Sequence, residues 1–194
     1  MREARDRRLH NPGIRRGRDG PRRRPRGTGA AGGRRRRVAI DAKDGRLSAN
    51  ERKAVEFHEP FKTGDLDALD EVLHPDWVNH PRNPHEGTDP EGWKGTVGYL
   101  RSVFPNLEFI VEELIEAGDK VVVRSVGTGT QEGKFLDHAP TGRRVEFRAL
   151  DVHCFEGGRI VESWHPEDVY GMLAQLGIIE NPYGAQVDPY PAWR

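Results

Sequence analysis

The hydrophobic spacing of this chain changes period once, near Pro105-Asn106, and that change constrains the fold more than any other feature. Before it, Trp93, Val97, Leu100 and Phe104 recur three or four residues apart, as on one face of a helix. After it, Leu107, Phe109 and Val111 alternate, as on one face of a strand. Two longer strands are predicted over residues 120–130 and 144–155, and a return strand over 159–164 follows a hairpin turn at Gly157-Gly158. Helices come first and a meander of long strands second. That order predicts an α+β domain, with N-terminal helices packed on one face of a curved antiparallel sheet that wraps them as a cone.

Local signals refine the helices. Ser48-Ala49-Asn50-Glu51 is a capping box and predicts a first helix running through Val55 and Phe57 toward Phe61, kinked by Pro60 and closed at Gly64. A short second helix is predicted over residues 66–73, then a brief strand over 76–80 ended by Pro81. Asp89-Pro90-Glu91 supplies a cap, a proline at the first helical position and an acid in the first turn. A last helix is predicted over 166–176, ended at Gly177.

Charge divides the chain. Residues 1–37 carry fifteen arginines against three acids, a net of +12, whereas residues 38–194 carry sixteen basic against twenty-eight acidic residues, a net of −12. The head has almost no apolar residues to offset its ordering entropy and is expected to be disordered. It holds no lysine and no aromatic to stack on a base, which disfavours nucleic-acid binding. Its Arg, Gly, Pro and Ala bias matches translated GC-rich sequence, so a native start at Val38 is expected, beside the readings of a solvated tail or a phosphate contact. Residues 38–180 are expected to form the domain and 181–194 an irregular tail. One cysteine, Cys154, leaves no internal disulfide and suits a reducing compartment. With no long apolar run, a soluble, cytoplasmic protein without membrane contact is expected.

Four segments carry a family resemblance. They are residues 64–69 (Gly64-Asp65-Leu66-Asp67-Ala68-Leu69) with Trp77-Val78-Asn79-His80; Val103-Phe104-Pro105-Asn106-Leu107; Pro140-Thr141-Gly142-Arg143-Arg144-Val145-Glu146-Phe147; and residues 151–155 with Gly158-Arg159-Ile160-Val161-Glu162-Ser163-Trp164. On these the chain resembles the SnoaL-like polyketide cyclase (ester cyclase) branch of the NTF2-like superfamily. It departs from the usual Glu-His-Trp-Asp of that branch at Glu162-Ser163-Trp164-His165. The resemblance implies an NTF2-like cone, a cofactor-free site, a polyketide-like apolar substrate and frequently a homodimer. It also implies ring closure by intramolecular aldol condensation, with an Asp acid/base at the position of Asp151.

The residues themselves add to this. Asp151 interrupts a largely apolar strand, where burial is expected to raise its pKa toward that of a useful base. The other reading pairs it with Arg148 or Arg124 as a structural ion pair. Alternation puts His153 on the face of Asp151. His80 is taken as a second catalytic group and Asn79 as its neighbour in substrate binding, either one able to stabilise an oxyanion. Trp77, Trp93, Phe104 and Trp164 are expected to line the site, and His138 to lean over its mouth. His165 is assigned to the surface or a cap, and His58 is the weakest histidine candidate. His80 and His85 flank a Pro-containing loop, and no His-x-x-x-His pair is present, so no metal is expected. Gly127-Thr128-Gly129 lies within a strand and is not read as a phosphate loop. The resulting expectation is a cofactor-free Asp acid/base cyclase. The rivals are a hydrolase, isomerase or dehydratase using the same carboxylate, and a binding protein for an apolar ligand. The apolar residues on both faces of the strand 144–155 predict a homodimer through the sheet, with cover by the final helix or the tail as the other reading.

Overall fold

The computed structural model describes residues 46–80, 87 and 89–180. The expectations for the arginine-rich head, the loop with His85 and the 181–194 tail lie outside the described residues. Ser48 opens α1 (Ala49–Glu56) with both halves of a capping box. Its hydroxyl accepts from the Glu51 amide at 3.0 Å, and its own amide donates to the Glu51 carboxylate at 2.8 Å. The single kinked helix expected here is two helices. The chain turns at Phe57-His58, and α2 (Glu59–Thr63) starts afresh with Pro60 in its first turn, where a missing N–H costs nothing. Gly64, at φ 80°, closes α2 in a left-handed cap. A 3-10 turn over Asp67–Glu71 leads into β1 (Leu73–His80). Asp89 caps α3 (Pro90–Val103) by accepting from the Gly92 amide at 2.8 Å.

The strands β2 (Glu108–Ala117), β3 (Lys120–Thr130), β4 (Arg144–Glu156) and β5 (Arg159–Trp164) form an antiparallel meander, followed by α4 (Val169–Leu176). The sheet order is β1-β5-β4-β3-β2. The antiparallel sheet expected is therefore mixed, because β1 runs parallel to β5. Parallel neighbours need a long crossover, and here it comprises α3 and most of the meander.

Register decides what each face carries. Asn79 in β1 lies beside Ser163 in β5, Ser163 beside His153 in β4, and His153 beside Val121 in β3. This row is buried and faces the helices. One residue along, His80, Trp164, Val152 and Val122 form a second row in register on the outer face. Between the helices and the inner face lie Phe57 and Phe61, Trp77, Trp93 and Val97, and Phe147. Each such side chain contributes about 1.5–3 kcal/mol by leaving water.

β5 pairs only with the second half of β4, which leaves the first half as an edge. The chain after β5 covers it. Leu150 donates to the Pro166 carbonyl and Asp168 to that of Arg148, while the Gln175 amide pairs with both the N–H and C=O of Glu146.

Gly127 faces the Phe147 ring across the β3–β4 ladder, and a Cβ there would stand 2.3 Å from the ring tip. The ring also meets Phe109 edge-on at 5.8 Å, so it has little room to yield. Gly127→Ala should destabilise the fold by about 1–3 kcal/mol through overpacking. Urea unfolding of the variant checks this, and an unchanged midpoint would count against the packing described.

Candidate active site

The alternation of β4 buries Val145, Phe147, Ala149, Asp151 and His153 on one face and leaves Leu150 40 % exposed on the other. Asp151 is thereby brought under the junction of α1 and α2. Its side chain is 7 % exposed, and its Oδ2 lies 3.2 Å from His58 Nε2. His58 Nδ1 is 3.1 Å from the Ala54 carbonyl oxygen, which can only accept, so Nδ1 carries a proton. The contact between Nε2 and Oδ2 must then hold a second one. Burial is the largest single influence on each group and opposes both charges. It is outweighed: the hydrogen bond and charge of Asp151, the Ala54 carbonyl and the charge of Glu167 together raise His58 above 6.5. The hydrogen bond and charge of His58, with His153 and His165, hold Asp151 below 3.8. The resting pair is an imidazolium and a carboxylate. The expected rise of the Asp151 pKa is corrected accordingly, since His58 overrides burial. Pairing with Arg148 or Arg124 is also corrected. Both arginines lie on the outer face and bind Glu112, and Arg124 also binds Glu113.

His153 stands beside this pair, its ring 6.3 Å from that of His58 and 4.7 Å from that of Phe57. Its Nδ1 lies 2.8 Å from Ser163 Oγ, which accepts from the Trp77 indole N–H at 2.9 Å. Burial pushes His153 down to about 4, with the charge of Asp151 partly opposing, so the ring is neutral near pH 7. Asn79 donates through its amide to His165 Nε2 at 2.9 Å, and His165 Nδ1 donates to Glu167 at 2.7 Å. His165, expected at the surface, is buried and meets the Trp93 ring edge-on at 5.4 Å. Among the described residues, four buried polar atoms on this side of the sheet have no hydrogen-bond partner: Asn79 Oδ1, Trp93 Nε1, Ser125 Oγ and His153 Nε2.

The structure thus brings together Asp151, His153, Asn79, Trp77 and Trp93 from the residues singled out in the sequence. It places the others elsewhere. His80 and Trp164 are on the outer face, stacked at 5.2 Å, with His80 Nε2 bound to Glu162 at 2.9 Å. They follow Asn79 and Ser163 by one residue, and one residue reverses the face. Phe104 packs on Phe135 and against Gly129, further along β3, and His138 is exposed in the loop beyond β3. His58, ranked weakest among the histidines, and His165, assigned to the surface or a cap, are the candidates that sequence reasoning undervalued. The signal for His58 was Pro60, which ends α1 early and turns the chain toward the sheet at His58. Among the described residues, no three His, Cys, Asp or Glu side chains converge as a metal site, and no helix is long and apolar enough to cross a membrane.

The profile of the SnoaL-like polyketide cyclase family matches residues 52–176. The chain is 31% identical over 140 residues to the nogalonic acid methyl ester cyclase of Streptomyces nogalater, covering 69% of this chain and 96% of that one. Among solved structures it is similar to TsrD of Streptomyces laurentii, with a TM-score of 0.63 and 27% identity over 69% of this chain and 100% of that one. It is also similar to IdmH of Streptomyces antibioticus, with a TM-score of 0.59 and 34% identity over 66% of this chain and 98% of that one.

The His58–Asp151 pair makes stability depend on pH in a defined sense. The raised His58 contributes stability that is present below pH 6.5 and lost as pH rises through its folded pKa. The lowered Asp151 contributes stability that is present above pH 3.8 and lost as pH falls through its folded pKa. The pair's full contribution therefore lies between those values. His58→Ala leaves a buried carboxylate unpaired and should cost about 3–5 kcal/mol at neutral pH. Asp151 is then raised by burial, so the variant should lose stability as pH rises above 3.8. Urea melts across pH 4–8 check the sign, and a variant as stable as wild type at neutral pH would refute the pairing.

Proposed function

Because the chain belongs to the SnoaL-like polyketide cyclase family, we propose that it closes a ring in a carbonyl-bearing, polyketide-like small molecule by proton transfer through Asp151 and His58. The observation that carries this reading is the buried carboxylate–imidazolium pair on the inner face, next to polar atoms left without partners. The carboxylate of Asp151 takes a proton from the carbon next to a carbonyl. The resulting enolate carbon bonds to a second carbonyl carbon of the same molecule, whose π electrons move onto oxygen. Asp151 then returns the proton to that oxygen. Product and substrate are isomers, so the sequence balances without a redox partner or cofactor.

A carboxylate held below its ordinary pKa is a weak base, and the reading has to meet that cost. His58 supplies the compensation: its positive charge lies beside the site and favours the enolate as it forms. Fixed charges and donors in a water-poor site act on the transition state without reorganising, which is where much of such catalysis originates. The relative from Streptomyces nogalater is named for a methyl ester substrate, and nogalonic acid methyl ester is the first compound to assay.

The second subunit is assigned to the outer face. Leu150, Trp164 and Ile110 are exposed there, and Val122 and Val152 are half-buried between them. An apolar group of this kind on one face of a sheet fits a self-complementary contact between two copies.

Asp151→Asn should lower turnover by about 10²- to 10⁴-fold while the fold persists, because the amide can donate to a neutral His58. In wild type, kcat/KM should rise as Asp151 ionises below pH 3.8 and fall as His58 loses its proton above pH 6.5. His58→Asn should move the acid limb upward, since burial then acts on Asp151 without the opposing charge of His58. An Asp151→Asn variant with wild-type turnover would eliminate the acid/base reading. Light scattering should give a dimer for wild type and a monomer for Leu150→Arg. A wild-type monomer at micromolar concentration would remove the outer-face contact.

A further inference from the structure

Of the four unpartnered atoms, His153 Nε2 is the one whose protonation is set by its neighbours. The Trp77 indole N–H can only donate, and it donates to Ser163 Oγ at 2.9 Å. The Ser163 hydroxyl still has its own proton to place. Among the described residues its remaining side-chain contact is His153 Nδ1, at 2.8 Å. The hydroxyl therefore donates to Nδ1, Nδ1 holds a lone pair, and the neutral ring carries its proton on Nε2. That N–H is fully buried and meets no acceptor among the described residues. Leaving a donor so placed costs stability, and two side chains, Trp77 and Ser163, fix it in that state.

We propose that His153 Nε2–H is the donor that holds the substrate carbonyl oxygen as negative charge builds on it, with Ser163, itself held by Trp77, as the positioning residue that fixes the tautomer. The proposal rests on the ring-closing reading above. His153 lies two residues from Asp151 on the same buried face, and its ring is 6.3 Å from that of His58. A donor there would serve an enolate whose α-proton Asp151 has taken. Burial helps by keeping the imidazole neutral, so no second positive charge crowds His58 and the N–H persists near neutral pH. His80, expected beside Asn79 as a candidate for stabilising the oxyanion, is on the wrong face of the sheet for this task.

The test uses the full chain and has two parts. Long-range proton–nitrogen spectra of uniformly labelled protein should show His153 neutral at pH 6 with its proton on Nε2, and Ser163→Ala should release the ring into mixed tautomers. Titration with 4-nitrophenolate, whose oxygen stands in for the enolate, should shift the Nε2 proton downfield. Its Kd should rise by roughly tenfold or more in His153→Phe, which keeps the ring and loses the N–H. In His153→Gln, whose amide can place a donor near the same point, Kd should stay within about threefold of wild type. Three results would overturn the proposal: a wild-type His153 protonated on Nδ1, no binding of the probe by wild type, or equal affinity in His153→Phe. Neither part measures turnover. A chain that binds the phenolate through His153 yet closes no ring would remove the ring-closing reading and leave the donor in place.

Discussion

A carboxylate shut away from water stays charged only if something beside it supplies a positive charge, and in this protein that is His58. The requirement reaches into the fold on both sides. α1 must stop at Glu56 so that the chain can turn His58 downward, and α2 must begin again three residues later. The Ala54 carbonyl must hold Nδ1 so that Nε2 faces the sheet. β4 must lie in the register that puts Asp151 beneath it. A one-residue slip of β4 would exchange Asp151 for Leu150 or Val152 and place the carboxylate among the outer residues.

The two faces of the sheet are built from adjacent rows of the same strands and have opposite characters. The inner row joins Asn79, Ser163 and His153, all buried and all in polar contact with side chains of the same site. The outer row joins His80, Trp164 and Val152, where a stacked pair and an exposed indole make an apolar surface. The departure from the family pattern at Ser163 falls on the inner row. There the serine hydroxyl joins Trp77 to His153.

Much of the architecture was legible because its signals are local. The Asp89-Pro90 cap gave the start of α3, a valine-rich run gave β3, and the Gly157-Gly158 turn gave β5, both strands to the residue. The α+β class followed from the order of helices and strands. The parallel β1–β5 pairing was not legible, since nothing near β1 specifies a partner so far along the chain. The site was read in part. Asp151 followed from the family resemblance and from a carboxylate interrupting a strand, and His153 from alternation, while Trp77 and Asn79 came in as neighbours of His80 on one short strand. His80 and Trp164 were grouped with them although each sits one residue from a buried neighbour, and parity along the strand separates them. His58 was hidden by treating α1 and α2 as one kinked helix, which would have pointed it elsewhere.

Three of the contacts that make the site are remote in sequence. His58 and Asp151 are 93 positions apart, and both Trp77–Ser163 and Asn79–His165 span 86. Loop-closure entropy grows only slowly with span, by about 0.6 kcal/mol per doubling, so the distance costs little stability. It costs time instead, because contacts of high sequence separation form late in folding. During synthesis, helices α1 to α3 and the β2–β3 hairpin can form before Asp151 has been made. Only when β5 has emerged and docked between β1 and β4 do Ser163 and His165 reach their partners. A chain that still lacks β5 can hold His58 against Asp151 but leaves Trp77, Asn79 and His153 without their side-chain partners.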